Sequence, residues 1–206
     1  MINWDVLKAK SETFKKNKPF SFMFVQGAIK QQVYDKLVAE WPSEEKFRLF
    51  NEVMKRVHVG PSKIFKTGES VNMNFPELSE TWNEFANYVA SEEYIKNLSE
   101  ITGMKLTKLT EFGLLEGKKG DFVHPHIDEA IYNQTSSLYY FTKDWKREFG
   151  GATCILTNDS YDNVVFEPNA LDNAYLLFHE TDKAWHGYKR IRIESPHRKA
   201  VIIGHG

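Results

Sequence analysis

Two histidines and an aspartate stand at alternating positions in the stretch DFVHPHIDEA, residues 121 to 130. They are His124, His126 and Asp128. In a β-strand, alternate side chains share one face, so these three groups could converge on one point. Imidazole and carboxylate groups bind zinc, but they also bind iron and other transition metals. The stretch therefore indicates a metal site whose metal depends on what the rest of the chain supplies.

A further candidate ligand lies far along the chain, in NAYLLFHETDKAWHGYKR, where His186 follows an apolar strand pattern and a polar turn. Together with the H-x-D tripeptide of His126 and Asp128, it would complete a set of two histidines and one carboxylate. On Fe(II) such a set leaves three adjacent positions open, which suits a metal that holds a bidentate co-substrate and dioxygen together. The remaining histidines have no partner motif and are expected to be structural or to lie at the surface: His58, His179, His197 and His205.

The elements that would position these residues differ between the two halves of the chain. Before Gly103, apolar and aromatic residues mostly follow helical spacing, with Pro76 at one helix start and Ser91 as the N-cap of another helix that stops at Gly103. The exception is PFSFMFVQGA, an aromatic strand candidate that ends at Gly27. We expect residues 1–103 to form a mostly helical buttress.

After Gly103, short runs rich in β-branched and aromatic residues alternate with turns. Roughly eight candidate strands with no helical pattern between them predict a barrel or jelly roll. The candidate strands are KLTKLTEF, DFVHPHID, SSLYYFT, GATCILT, NVVFEP, NAYLLFHE, the KRIRIE stretch and KAVIIG. The predicted fold is mainly β with N-terminal helices, in a single domain, 1–206, whose β core covers 104–206.

The bulk composition argues against several classes of protein. Lys and Arg total 27 against 28 for Asp and Glu, so a net charge of -1 gives no global field that would attract nucleic acid or an anionic membrane. The chain has one cysteine, Cys154, which excludes an intramolecular disulfide and a cysteine-based zinc site. The start of the chain has no apolar signal segment and no stretch approaches the length of a membrane span. We therefore expect a cytoplasmic protein without membrane contact.

Four motifs follow one another from about Lys105 to Gly204: GDFVHPHID, SLYYFTKDWKREFGG, AYLLFHETDKAWHGY and HRKAVIIG. In order and approximate spacing they resemble the Fe(II)- and 2-oxoglutarate-dependent dioxygenases, in particular the prolyl 4-hydroxylase-like branch. The opening KPFSFMFVQGAI is also similar to the lead-in of many bacterial members. The resemblance implies a double-stranded β-helix, which is a cupin-like jelly roll. One departure is the strand before the H-x-D motif, where many relatives carry a tyrosine and KLTEFGLLE offers Phe112.

The resemblance implies that the metal is Fe(II) and that its ligands are His126, Asp128 and His186. It also implies 2-oxoglutarate as co-substrate, with ascorbate as an additional cofactor. His124 would then support a ligand, contact the substrate or pack beside the site. Related halogenases replace the carboxylate ligand by a small residue, so the presence of Asp128 favours hydroxylation of an aliphatic C–H bond.

Two further residues would anchor the co-substrate by the same resemblance. Arg198 would pair with the far carboxylate of 2-oxoglutarate, and a guanidinium matches a carboxylate with two parallel hydrogen bonds. Tyr140 would donate its hydroxyl to the same carboxylate, while the adjacent Tyr139 would point the opposite way. Arg190 and Arg192 remain alternatives to Arg198.

The sequence leaves the substrate, the oligomeric state and one alternative function open. Relatives act on peptides, free amino acids, sugars or lipids. The segment 45–70 is expected to be either a lid or connecting chain, and DEAIYNQTS is a second candidate substrate loop. The alternative function is a catalytically inactive cupin-like module that binds or senses a metal. The near-zero net charge disfavours a nucleic-acid demethylase, and the lack of a helical H-E-x-x-H motif disfavours a zinc hydrolase.

Overall fold

The computed structural model describes residues 1–65, 73–128 and 134–206. Its α-helices are Trp4–Lys8 (α1), Ser11–Lys16 (α2), Gln31–Ala39 (α3), Glu80–Val89 (α4) and Glu92–Thr102 (α5). Its strands are Phe22–Gln26 (β1), Arg48–Asn51 (β2), Lys55–Ile64 (β3), Leu109–Gly117 (β4), Phe122–His126 (β5), Thr135–Thr142 (β6), Cys154–Leu156 (β7), Val164–Phe166 (β8), Leu171–His179 (β9), His186–Tyr188 (β10) and Arg198–His205 (β11). No helix among these residues is long and apolar enough to cross a membrane.

The strands form one continuous sheet in the order β1-β9-β6-β11-β4-β3-β5-β10-β7-β8, and β2 pairs with β3. Every pairing between named strands is antiparallel. Strands from early and late parts of the chain are neighbours, as where β4 pairs with β11 and β5 with β10. This winding is the jelly roll, or double-stranded β-helix, so the predicted fold class is confirmed.

Alternate residues of the central strands belong to two separate cores. On β9, Leu177 packs in the outer core with the helices, whereas Leu176 packs in the inner core within the sheet. On β6, Tyr139 and Tyr140 divide in the same way. This division follows from the period of two along a strand. The helices therefore cover one face of the sheet, and the other face encloses the candidate site.

Capping residues fix the ends of the two longest helices. The Ser79 hydroxyl accepts a hydrogen bond from the backbone N–H three residues later, so α4 begins directly after it. Ser91 caps α5 in the same way, and Gly103 ends that helix with a left-handed φ of 73°. The predictions for Ser91 and Gly103 are confirmed. The predicted helix start at Pro76 is wrong, because Pro76 lies in the turn before the Ser79 cap.

The first half of the chain contains more strand than the sequence predicts. The hairpin of β2 and β3 occupies most of the segment 45–70, for which a lid or connecting chain is expected, and β3 lies inside the sheet between β4 and β5. The strand β3 is not predicted from the sequence because it contains the Gly-Pro pair at 60–61, and such a pair is typical of a turn. In the structure the pairing with β4 shifts register there, as a β-bulge does. Residues 66–70 and 129–133 of the two candidate loops lie outside the described residues.

The predicted strand KRIRIE, residues 189–194, is also wrong, because the strand β10 ends before it, at Tyr188. The Ile191 N–H donates to the carbonyl of Asp121 and its carbonyl accepts from the N–H of Gly120, both over 2.9 Å. Ile191 is buried beside the bare backbone of Gly117. The alternating isoleucines therefore reflect a buried loop rather than a strand. The other candidate strands each overlap an observed strand.

Candidate metal centre

The three predicted metal ligands meet where β5 ends and β10 begins. His126 is the last residue of β5, His186 is the first of β10, and the two are direct partners in the antiparallel register. Asp128 follows β5 after one intervening residue. Its two carboxylate oxygens each lie 3.4 Å from a histidine Nε2, one from His126 and the other from His186. The pairing of β5 with β10 thus brings together residues that are far apart in the sequence.

Hydrogen bonds leave the same nitrogen free in both imidazoles. Nδ1 of His126 lies 3.0 Å from the carbonyl oxygen of His124, and Nδ1 of His186 lies 2.9 Å from that of Ala184. A carbonyl only accepts, so each Nδ1 carries a proton, and Nε2 is the nitrogen left to bind a metal when the imidazole is neutral. Two ligands about 2.1 Å from one metal and at right angles to each other are about 3 Å apart. The spacings of 3.4 Å and the set of two nitrogens and one carboxylate therefore fit Fe(II).

The pKa values of Asp128 and His186 favour metal binding at neutral pH, whereas the pKa of His126 opposes it. Burial alone would raise the pKa of Asp128, but the hydrogen bond from His126 and the charges of both imidazoles hold that pKa below its ordinary value. Burial would lower the pKa of His126, but its contact with Asp128 raises that pKa instead. Burial and the nearby His126 lower the pKa of His186. Asp128 is therefore ionised and His186 neutral, as ligands must be.

The side chain of His124 stays outside this cluster. It is exposed and packs edge-on against the ring of Phe122, with 4.9 Å between ring centroids. Its backbone N–H donates to the carbonyl of Met54 over 2.8 Å, which ties β5 to the β2–β3 hairpin. The described contacts give no support to a side-chain role in the site. The contribution of His124 is its backbone carbonyl, which orients His126.

Arg198 lines the same cavity as the three ligands and is only 1% exposed. Its Nη2 lies 3.4 Å from the hydroxyl of Thr153, and its Nε has no hydrogen-bond partner among the described residues. The guanidinium carbon lies 5.3 Å from the ring centroid of Tyr140 and 4.8 Å from that of Tyr188. A buried cation with unused donors is costly unless an anion joins it. The surroundings of Arg198 therefore fit a carboxylate ligand.

The two alternative arginines lie elsewhere. Arg190 is exposed, donates to the carbonyl of Gly120 over 2.8 Å and lies 4.4 Å from the ring centroid of Phe122. Arg192 is exposed as well. Neither is among the described residues that line the cavity with Arg198.

The two adjacent tyrosines of β6 point to opposite faces, as alternation predicts. The Tyr140 hydroxyl accepts a weak hydrogen bond from the N–H of Thr153 over 3.4 Å, on the side of Arg198. The Tyr139 hydroxyl lies 2.9 Å from that of Tyr94 in the outer core. Of the pair, only Tyr140 is therefore near the guanidinium group.

Sequence reasoning missed Tyr188, whose ring forms the second aromatic wall beside Arg198. Tyr188 stands two residues after His186 on β10, and this spacing could have placed it on the ligand face. Phe112, the residue nearest to the strand tyrosine of many relatives, lies instead in the outer core, 5.5 Å from the ring of Phe75. An aromatic ring beside the arginine is thus contributed by β10 and not by β4.

The cavity that contains these residues has a volume of about 800 Å³. This lies at the upper end of the usual range for small-molecule sites, so a co-substrate and part of a second molecule fit together. Most of its wall is apolar, and the charged or amide side chains away from the ligands and Arg198 are few. The apolar wall includes Val57, Val59, Leu115, Val123, Leu138 and Ile202, and the polar groups include Lys55, Lys108, Glu111, Gln134 and Glu180.

A second group with metal-ligating side chains, Glu44, Glu116 and His197, lies outside this cavity. Its atoms already bond one another and their neighbours. Nδ1 of His197 lies 2.6 Å from Glu116, whose other oxygen accepts from the indole N–H of Trp41 over 3.3 Å. The ammonium group of Lys118 lies 2.8 Å from Glu44. This group is therefore an ion-pair network rather than a metal site.

Neither a scan against protein-family models nor a sequence comparison with curated proteins finds a match. Solved structures, in contrast, match over nearly the whole chain. A Pseudomonas putida prolyl-4-hydroxylase superposes with a TM-score of 0.67 at 12% identity, covering 97% of both chains. A Trichoplax adhaerens prolyl hydroxylase, in complex with a hypoxia inducible factor peptide fragment, gives 0.64 at 12% identity, covering 98% of this chain and 88% of that one.

A third match is HygX from Streptomyces hygroscopicus, solved with nickel, 2-oxoglutarate and hygromycin B. Its TM-score is 0.59 at 13% identity, and the match covers 91% of this chain and 83% of that one. At identities this low, the superpositions establish a shared fold and nothing more. The chain therefore has the double-stranded β-helix fold of the 2-oxoglutarate–Fe(II) oxygenases, among them the prolyl 4-hydroxylases.

Proposed function

We propose that the protein is an Fe(II)- and 2-oxoglutarate-dependent dioxygenase that hydroxylates an aliphatic C–H bond. The observation that carries this proposal is one cavity that contains both a two-histidine, one-carboxylate set and the buried, incompletely paired Arg198. A metal site alone would suit many functions, whereas the arginine adds a place for a carboxylate of a second molecule. The HygX structure with nickel and 2-oxoglutarate offers a precedent for this pairing in the same fold.

In this proposal His126 and His186 would hold Fe(II) through Nε2 and Asp128 would hold it through a carboxylate oxygen. Fe(II), with dioxygen and 2-oxoglutarate, supplies the oxidising chemistry that turns C–H into C–OH and releases succinate and carbon dioxide. The negative charge of Asp128 offsets part of the charge of the cation. The hydrogen bonds from Nδ1 to the carbonyls of His124 and Ala184 fix the orientation of both rings.

Arg198 would bind the far carboxylate of 2-oxoglutarate through Nε and the Nη donors that Thr153 does not use. The rings of Tyr140 and Tyr188 pack against the guanidinium group, and the Tyr140 hydroxyl, which contacts Thr153 as Arg198 does, would share the same carboxylate. The largely apolar wall of the cavity would exclude water from the reacting centre. The protein would therefore position the reactants and exclude water, and the metal would supply the chemistry that breaks the C–H bond.

The experiment that tests the proposal measures succinate formed from 2-oxoglutarate under air, with Fe(II) present and ascorbate added to keep it reduced. Peptides, amino acids, sugars and lipids are added in turn. We expect succinate above background that requires Fe(II), is lost in His186→Ala and persists in His124→Ala, whose carbonyl is retained. Wild-type protein that binds Fe(II) but forms no more succinate than His186→Ala would contradict the proposal and favour the inactive metal-binding module.

A further inference from the structure

One acidic side chain inside the cavity has no role in the chemistry described so far. Glu111 lies on β4 and lines the cavity that contains the metal ligands and Arg198. Among the described residues, only the charges of Asp128, Glu180 and Lys55 act on its carboxylate, and no hydrogen bond to it is formed. A half-buried carboxylate without a donor is unfavourable in the empty cavity and becomes favourable when a donor binds.

The pairing of β4 with β11 packs closely around the base of the Glu111 side chain. Gly204 on β11 is its direct cross-strand partner. A Cβ at Gly204 would lie 3.2 Å from the Cβ of Glu111 and 2.6 Å from the hydroxyl of Thr110, so any larger residue would crowd the acid. Gly113, two residues along β4, also lines the cavity without a side chain. The base of the acid is therefore held by close packing, while its side chain lines the cavity on the same face of β4 as Gly113.

The neighbouring acid, Glu180, differs from Glu111 in that its oxygens are already used. One accepts from the amide of Gln134 and the other from the hydroxyl of Ser136. Gln134 is itself fixed by a hydrogen bond from the hydroxyl of Thr110 over 3.2 Å. Glu180 is therefore a fixed structural acceptor, which adds negative potential to the cavity but has no free oxygen to offer.

The charges in the cavity also favour a cation beside Glu111. The two charges of Fe(II) and that of Arg198 would be balanced by Asp128 and by the two carboxylates of 2-oxoglutarate. Among the described residues, the cation that acts on Glu111 is Lys55, and its ammonium group lies 3.8 Å from Glu52 at the exposed rim. Burial, together with the charges of Asp128 and Glu180, raises the pKa of Glu111 to about 7. A cation brought by a ligand would stabilise the ionised carboxylate.

We propose that Glu111 determines substrate specificity, and that the substrate carries a cationic nitrogen, as an ammonium or guanidinium group, which pairs with the Glu111 carboxylate. The hydrocarbon part of the substrate then lies along the apolar wall near the metal ligands, where Leu138 and Ile202 contribute. This inference rests on the proposed function and specifies its substrate class.

The test compares three probes with the same six-carbon chain: hexylammonium, 1-hexanol and hexanoate. Their binding to the protein loaded anaerobically with Fe(II) and 2-oxoglutarate is measured by calorimetry. Because a charge-assisted hydrogen bond in a partly dry site is worth about a tenfold change in affinity or more, we expect hexylammonium to bind at least about tenfold tighter than the other two. Glu111→Gln should remove this preference, and Glu111→Lys should transfer it to hexanoate.

The matched control is Glu84→Gln, on the exposed face of α4, which should keep the wild-type preference. Equal binding of the three probes, no binding of any, or a hexylammonium preference that survives in Glu111→Gln would overturn the inference. The visible charge-transfer band of Fe(II) with 2-oxoglutarate is recorded in the same samples. A missing band counts against the proposed function. The preference among the three probes is a separate result, which tests the role of Glu111. Capped and free lysine then distinguish a peptidyl from a small-molecule source of the cation.

Discussion

At the scale of single residues, the two histidines of the metal centre are prepared by the same local contact. Each Nδ1 lies close to the carbonyl oxygen two residues earlier, which belongs to His124 in one case and Ala184 in the other. The sequence could predict the ligand types from the H-x-D tripeptide and the distant histidine. It could not predict the free Nε2 lone pairs, because these depend on the backbone path around His126 and His186.

Arg198 gives the first prediction at this scale. Arg198→Lys keeps a positive charge but loses the planar donor fork and the packing between Tyr140 and Tyr188. We expect the affinity for 2-oxoglutarate to fall by roughly 10- to 100-fold, which corresponds to the loss of one or two hydrogen bonds to a charged group. The measurement is an anaerobic titration of the Fe(II)-loaded protein with 2-oxoglutarate. Arg192→Lys, at an exposed site, is the control, and a larger loss there than in Arg198→Lys would overturn the assignment.

His205 gives a prediction for stability against pH. It is fully buried, stacks on Tyr94 and bonds through Nε2 to the carbonyl of Val89 over 2.8 Å. Burial lowers its pKa to about 4, against about 6.5 in the unfolded chain. Between these values the unfolded chain binds more protons, so stability is lost as the pH falls.

We therefore expect His205 to account for a loss of about 2 kcal/mol in the free energy of unfolding between pH 7 and pH 5. Urea unfolding of the wild type and of His205→Gln at both values measures this loss. The variant should be less sensitive to pH by that amount, whereas His124→Gln, at an exposed site, should behave like the wild type. An unchanged pH sensitivity in His205→Gln would mean that His205 is not the titrating group.

At the scale of elements, the β2–β3 hairpin is the part of the fold that the sequence predicted least well. Most of the exposed large apolar side chains of the described residues lie on it, and two of them, Phe50 and Ile64, also line the cavity. With few buried apolar residues and a Gly-Pro pair in β3, the hairpin lacks the alternating pattern by which the other strands are predicted. Its place in the sheet depends on pairing with β4 and β5, which no local pattern encodes.

A buried ion-pair cluster holds β3 against the start of β5 and gives the prediction for this scale. The fully buried Asp121 lies 3.1 Å from Nε of Arg56 and 2.7 Å from Nδ1 of His58. Asp121→Asn removes the charge that both partners face. Because Arg56 is partly exposed, we expect a loss of about 2 kcal/mol, somewhat less than for a fully buried pair.

Urea unfolding measures this loss, and Glu194→Gln, which breaks an exposed ion pair with Lys119, should change stability by less than about 0.5 kcal/mol. Equal effects of the two substitutions would show that the Asp121 cluster does not hold the hairpin in place. Since β5 carries His126, Asp121→Asn should also weaken Fe(II) binding, which Glu194→Gln should not.

At the scale of the whole molecule, the period of two along the strands predicted the jelly roll, and the order of four motifs predicted which residues would meet in it. The sequence could not predict which other side chains face the cavity. Glu111 and Phe112 are adjacent on β4, and only the pairing with β11 determines that the acid faces inward. At 12% identity to the Pseudomonas putida prolyl-4-hydroxylase, the fold is retained by patterning rather than by particular core residues.

The proposed metal and co-substrate are tested most directly by visible spectroscopy of the protein with Fe(II) under anaerobic conditions, before and after 2-oxoglutarate is added. We predict that a metal-to-ligand charge-transfer band develops on addition of 2-oxoglutarate. The band should be absent in His126→Ala and present in His124→Ala, because of these two histidines only His126 belongs to the ligand set. Correctly folded wild-type protein without the band would contradict the binding of Fe(II) with 2-oxoglutarate, and a band that persists in His126→Ala would contradict the role of His126 as a ligand.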